Sequence, residues 1–311
     1  MPPMSAPPED TRPGSFPDWP EPRAARRFFE RAAATTGTAD ALAREVESRM
    51  LERLPLMKIQ PKNILDAGCG LGKGLALLGE RYAGAHLFGV DSALAALRAG
   101  RAHRSAPLRW LDRALGLVSG RGAQLACADM ARLPLAPRCM DMVWSNLALA
   151  WPADPPAVFR EFHRVLNTGG LLMFASYGPD TLRELRAAFA GVDAHPHTHR
   201  FVDMHDLGDM LVEAGFANPV MDMETLTLTY ADFDALARDL RSSGQANAGV
   251  GRRRGLLGRG AWQRVRERYP VRDGRLPATF EIVYGHAWRG EPRARPGEPA
   301  VVRFEPRRPG R

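Results

Sequence analysis

Three carboxylates, each closing an apolar run, are the residues of this chain best placed to do chemistry. The stretch "LDAGCGLGKG" (Leu65 to Gly74) ends one run at Asp66 and turns on Gly68, Gly70 and Gly72. Glycines at this spacing let the main chain approach a ligand where any Cβ would collide, and they lead straight into a helix. A second run ends at Asp91-Ser92, 25 residues after Asp66, where a carboxylate can accept hydrogen bonds from two ribose hydroxyls. A third ends at Asp129-Met130, where the acid can take the exocyclic amine of an adenine and the thioether can pack on its ring.

A dinucleotide fold shares the first two features. The third acid, together with an acid two residues ahead of the first glycine, makes a pocket that repels a pyrophosphate and attracts a cationic nucleoside. S-adenosylmethionine carries a sulfonium and an ammonium, and it is the cofactor expected here, held by Asp66, Gly68, Gly70, Gly72, Asp91, Ser92, Asp129 and Met130.

Further residues fall where an acceptor would sit. Ser145-Asn146 closes a fourth run, and Asn146 is expected to contact the donor's methionine portion or the acceptor. Tyr177, with Gly178 and Pro179, follows a fifth and should line the acceptor entrance. Arg200 in "HTHRFVD" is the candidate to grip an acceptor carboxylate, because a guanidinium matches a carboxylate as a fork. No acid/base dyad stands out. His195, His197 and His199 lie in a proline-containing loop without a carboxylate at ligand spacing, so no metal is expected. Cys69, Cys127 and Cys139 form no CxxC pair, which speaks against a disulfide framework and points to a reducing cytoplasm. Cys69 reads as a small filler in the glycine turn.

The elements that must position these residues alternate. An amphipathic helix (Leu42, Val46, Met50, Leu54) precedes strands through "NILDAG", "AHLFGVD", "AQLACAD", "MDMVWSN" and "GLLMFAS", with helices between most of them. The helix through "AVFREFHRVL" should stop at Asn167-Thr168-Gly169-Gly170. A helix around "MHDLGDMLVEAGF" leads to "PVMDMETLTLTY", whose Met221 and Met223 read as core, and "PATFEIVYGHAW" is again strand-like. The fold class is therefore α/β and Rossmann-like: a mostly parallel seven-stranded sheet with an antiparallel edge strand, and a helical insertion at about 231–273 between the last two strands. The domain spans 26–288, and Trp110 to Gly122 looks like a second small insertion. Residues 1–25, with eight prolines in the first 22, and the Pro/Arg-rich 289–311 are expected to be disordered. No apolar run approaches the roughly 18 residues of a membrane span, and a monomer is expected.

Charge is concentrated. Eleven arginines face three acids between Arg238 and Arg275, a net of +8 that equals the excess of the whole chain. Nucleic acid is a poor partner, since Trp262 and Tyr269 are the only aromatics in the basic run from Val250 to Val271 and stacking has little to work with. "GVGRRRGLLGRG" (Gly249 to Gly260), with Arg252, Arg253, Arg254 and Arg259, instead suits docking of a small acidic protein.

The glycine loop and its acids resemble the class I S-adenosylmethionine-dependent methyltransferases. The blocks "LPLAPRCMDMVWSNLALAW", "HRVLNTGGLLMFASYGPDTLRELR", "RFVDMHDLGDMLVEAGF" and "LPATFEIVYGHAW" extend the resemblance to the malonyl-[acyl-carrier protein] O-methyltransferases of biotin synthesis, over about Arg26 to Trp288. That resemblance implies methylation of the free malonyl carboxylate on an acyl-carrier protein or on coenzyme A. "GPDTLRELR" and "DGRLPATFEIVY" are also similar to a complex I assembly factor that hydroxylates an arginine of a partner, which implies either that chemistry or a non-catalytic assembly role on the same fold; a methyltransferase acting on another acceptor is the third reading. The methyltransferase reading is preferred because the donor pocket is complete. One departure stands out: the first family carries a tyrosine in an A-x-x-Y pattern where this chain has Thr36, so its pocket-closing role is either vacant or filled by Phe28 or Phe29.

Overall fold

The strand ends singled out above meet along one edge of a single sheet. The computed structural model describes residues 19–35, 40–104 and 123–291. Helices α1 (Pro22–Ala32) and α2 (Ala41–Arg53) precede β1 (Asn63–Ala67), α3 (Lys73–Arg81), β2 (His86–Asp91) and α4 (Leu94–Arg104). Then come β3 (Gln124–Cys127), β4 (Met140–Asn146), α5 (Pro155–Val165), β5 (Leu166–Tyr177), α6 (Arg183–Phe189) and α7 (Met204–Glu213). The chain closes with β6 (Phe216–Tyr230), α8 (Phe233–Ser242), α9 (Arg259–Arg268) and β7 (Leu276–Arg289).

The sheet order is β3-β2-β1-β4-β5-β7-β6. The first five strands pair in parallel, and β7 runs antiparallel to both β5 and β6. Both faces of the centre are covered, which the alternation in β4 shows. Met142 and Trp144 join a core with Val46 and Met50 of α2, while Val143 joins Phe159, Phe162 and Phe174 on the opposite face. The helical insertion between the last two strands is α8 and α9, whose Phe233, Trp262 and Tyr269 pack edge to face.

Several local expectations change. The helix stops at Val165, and Asn167 to Gly170 belong to β5. Asn167 Nδ2 donates to Asp141 Oδ1 (2.7 Å), which fastens the glycine pair to β4 where the register shifts. Met221 packs on the core, but Met223, two residues further along the same face of the edge strand β6, is 47% exposed. The proline-rich start is built into the fold from residue 19: Pro20 bridges Gly249, and Glu21 N–H donates to the Ala248 carbonyl (2.7 Å). Pro22 then opens α1, where its missing N–H costs nothing. Arg289 ends β7 with its guanidinium on the carbonyls of His163, Arg164 and Leu166, so the structured chain passes the expected boundary. Thr36 and the insertion from Trp110 to Gly122 lie outside the described residues.

Candidate active site

A cavity of about 630 Å³ opens at the carboxyl ends of β1, β2, β4 and β5, where a parallel sheet presents its ligand-facing side chains. Asp66, Gly68, Gly70, Asp91, Ser92, Asp129 and Met130 line it. The backbone at Gly68 (φ +83°) donates to the Val90 carbonyl (2.7 Å), and a Cβ at this position would overlap that of Ala148. Gly72 (φ +75°) caps α3. Beside Gly70 the space is open, with no atom within 4 Å of the point a Cβ would occupy.

Asp91 ties this loop together. Its Oδ2 accepts from Gly70 N–H (2.8 Å) and its Oδ1 from Ala93 N–H (2.7 Å). Burial pushes its pKa up, opposed by those two N–H groups. Each carboxylate oxygen can still accept a further bond, the requirement for holding a vicinal diol. Asp129 Oδ1 accepts from Ala131 N–H (2.9 Å), which aims the side chain from the turn after β3.

Asn146, Tyr177, Leu228, Ser243, Gln245 and Phe280 line the same cavity. Asn146 Nδ2 donates to the Ala43 carbonyl (2.9 Å), which leaves Oδ1 buried with no partner. The Tyr177 hydroxyl is buried in the same way, with the Gln245 side chain facing it; burial raises its pKa, so it stays a proton donor. Gln245 and Ser243 come from the segment after α8, and nothing local in their sequence marks them.

Residues ahead of the sheet complete the cavity, and of these only Phe29 was expected there. Glu30 of α1 accepts from Leu94 N–H (2.8 Å) and Ala95 N–H (3.0 Å), capping α4 and pinning α1 over the Asp91 turn. Phe29 then meets Trp151 edge to face at 4.8 Å, and both line the cavity. Glu47 of α2 is buried in the wall beside Asp66 and Gly74. Burial raises its carboxyl from the usual 4.5 to about 7, Asp40 adds to the rise, and the Trp144 indole and Lys73 oppose it.

Because the folded-state value lies above the unfolded one, the folded chain holds this proton more tightly. The stabilisation is present below about pH 4.5 and is lost as pH rises through about 7. Relative to Glu47→Gln, the wild type is expected to lose about 2.5 kcal/mol of unfolding free energy between about pH 5 and about pH 8. Urea melts of both proteins check this, and a difference that does not change with pH contradicts it.

Two groups of expected residues lie elsewhere. Arg200 does not line the cavity: its guanidinium sits over the Trp19 ring at 5.2 Å and 3.9 Å from Asp206, because the chain after α6 carries it to the outer surface. Arg252 and Arg254 both bind Glu21 (2.7 and 3.1 Å), and Arg253 reaches Asp193 (3.4 Å), so the loop clasps the start of α1. Arg254 remains 67% exposed, Leu256 is 94% exposed, and Arg259 opens α9 at the surface. A carboxylate does stand near the histidines: His197 Nε2 meets Asp193 Oδ1 at 2.9 Å, and the ring stacks on Phe189. Among the described residues no group of three or more His, Cys, Asp or Glu is placed to hold a metal ion. None of the described helices is long and apolar enough to cross a membrane.

Similarity to known proteins fits this site. The malonyl-[acyl-carrier protein] O-methyltransferase of Gallionella capsiferriformans (strain ES-2) is 50% identical over 283 residues, covering 90% of this chain and 95% of its own. The chain belongs to the malonyl-[acyl-carrier protein] O-methyltransferase family. The family's member from Laribacter hongkongensis (strain HLHK9) is 51% identical over 291 residues, covering 91% of this chain and 96% of that one. The broader methyltransferase domain family matches residues 65–174, from the glycine loop through most of β5. A putative methyltransferase from Bacillus halodurans C-125 shares the fold, with a TM-score of 0.54 at 16% identity over 78% of this chain and all of that one. As a member of this family the chain is an enzyme of the methyltransferase class.

Proposed function

We propose that this enzyme moves the methyl group of S-adenosylmethionine onto the free carboxylate of a malonyl thioester borne by acyl-carrier protein, an early step of biotin (pimeloyl) synthesis. The observation that carries this is one cavity lined both by acidic strand ends and by buried polar groups. Acids at three strand ends suit a cationic nucleoside, and the same cavity is lined by Asn146, whose buried Oδ1 has no partner, and by Tyr177, whose buried hydroxyl faces Gln245.

The residues present fit the donor. The open space at Gly70 admits a ligand against the backbone, and the unpartnered Asn146 Oδ1 is an acceptor suited to an ammonium. Asp91 would hold the ribose hydroxyls, Asp129 the adenine amine, and Met130 the ring face. When bound, S-adenosylmethionine supplies a methyl carbon already activated by its sulfonium.

The remaining work belongs to the chain. A malonyl carboxylate is ionised at neutral pH, since carboxyl groups ordinarily titrate near pH 4. No general base is then needed, and rate comes from alignment and exclusion of water. Tyr177, kept protonated by burial, can donate to an oxygen of the acceptor. Arg23 and Arg26 of α1 line the cavity and can steer the carboxylate, which must keep one oxygen free to attack. Phe29 and Trp151, edge to face, form part of the cavity wall and help exclude water.

A comparison of carrier protein loaded with malonyl or acetyl groups tests the acceptor. With methyl-labelled donor, label is expected only on the malonyl form. Equal labelling of both would overturn a carboxylate acceptor.

A further inference from the structure

A groove of about 420 Å³ lies outside the cavity, lined by Arg186, His195, His197, His199, Arg200 and Phe201 among others. Its one acid, Asp193, is engaged by His197 and Arg253, so the groove as a whole is cationic. It is joined to the arginine loop: His195 Nδ1 bonds the Gly251 carbonyl (3.0 Å), and Asn247 Nδ2 donates to the Pro196 carbonyl (2.7 Å).

Only a layer of rings separates groove and cavity. His199 stands 4.7 Å from Trp151 and 4.6 Å from Phe201, and Phe201 stands 5.6 Å from Tyr177. Trp151 and Tyr177 line the cavity; His199 and Phe201 line the groove. His199 is 5% exposed, and its Nε2 has no partner. Its other ring nitrogen serves the Ala150 backbone, and burial lowers its pKa to about 4. The ring is therefore neutral, and Nε2 is a buried acceptor waiting for an N–H or O–H.

We propose that this groove seats the phosphodiester-linked pantetheine arm of the acyl carrier, with Arg200 beside the phosphate and His199 Nε2 accepting from an amide or hydroxyl of the arm. This rests on the function proposed above. A carrier docked on the arginine loop is next to the groove, and an arm laid along it runs beside the ring layer that borders the cavity. The arm is amide-rich with one anionic group, which matches a cationic groove containing one buried acceptor. Arg200 thereby recognises the acceptor's tether, away from its carboxylate.

Calorimetry with phosphopantetheine and with pantetheine separates this from the function it rests on, since no turnover is needed. Wild type is expected to bind phosphopantetheine, pantetheine binding to be about tenfold weaker, and Arg200→Glu to remove that preference. His199→Phe should weaken both ligands alike. Binding of S-adenosylhomocysteine should be unchanged in both variants, which also reports that they fold. In turnover, Arg200→Glu should raise KM for malonyl-carrier and malonyl-coenzyme A about tenfold and leave the malonyl thioester of N-acetylcysteamine unaffected. Arg254→Glu should raise KM for the carrier alone. No detectable phosphopantetheine binding by the wild type, or a binding preference that survives Arg200→Glu, would overturn the assignment whether or not the enzyme esterifies malonyl groups.

Discussion

Asp91→Ala is expected to weaken binding of S-adenosylhomocysteine by about a hundredfold. The carboxylate accepts from Gly70 and Ala93 N–H groups and lines the cavity, so it both shapes the loop and faces the ligand. Hydrogen bonds to a charged acceptor contribute about 1.5–3 kcal/mol each. Losing two to the ribose, after the loop has lost its brace, reaches about 3 kcal/mol, or a hundredfold. Asp91→Asn keeps one carbonyl oxygen and should fall between. Calorimetric titration checks the series, and an Asp91→Ala protein that binds within about threefold of wild type would remove Asp91 from the donor site.

Gly68→Ala is expected to be strongly destabilising. A Cβ there would overlap that of Ala148, with φ at +83° in the region that favours glycine. Overpacking against a buried neighbour costs about 1–3 kcal/mol, and the backbone strain adds about 1 kcal/mol or more, so a loss near 3 kcal/mol is expected. Gly70→Ala is the contrast. Its Cβ meets no atom of the protein within 4 Å and would stand in the cavity. Urea unfolding should therefore show Gly68→Ala strongly destabilised and Gly70→Ala much less so, while donor affinity falls in both. Equal stability of the two variants would contradict the packing described for this loop.

What the sequence made legible followed local rules. Alternation of apolar runs with helical periods set out the sheet, and the antiparallel pairing of the last two strands could be read because nothing but the insertion lay between them. Asp66, Asp91, Asp129 and Asn146 were visible because strand ends on a parallel sheet converge whatever lies between them. Glu47 and Gln245 were not visible, and Phe29 was legible only as a candidate to close the pocket where Thr36 replaces a tyrosine. Each reaches the cavity from an element whose docking depends on tertiary contacts: Glu30 on the start of α4, and Asn146 on the Ala43 carbonyl. Arg200 was misplaced for the same reason. Its residue type suited a carboxylate, but the path of the chain after α6 decided which cavity it faced. The arginine loop was recognised by charge, yet its grip on Glu21 needed the N-terminal segment to be folded, which eight prolines in 22 residues did not suggest.

The central claim is that the acceptor is the malonyl carboxylate itself. The most direct measurement incubates the enzyme with methyl-labelled S-adenosylmethionine and malonyl-carrier protein, then locates the label by mass spectrometry of the acyl group released from the carrier. The account predicts a methyl ester on the distal carboxyl, released by mild base. Label on a side chain of the carrier polypeptide, or no transfer from an enzyme that still binds the donor, would contradict it.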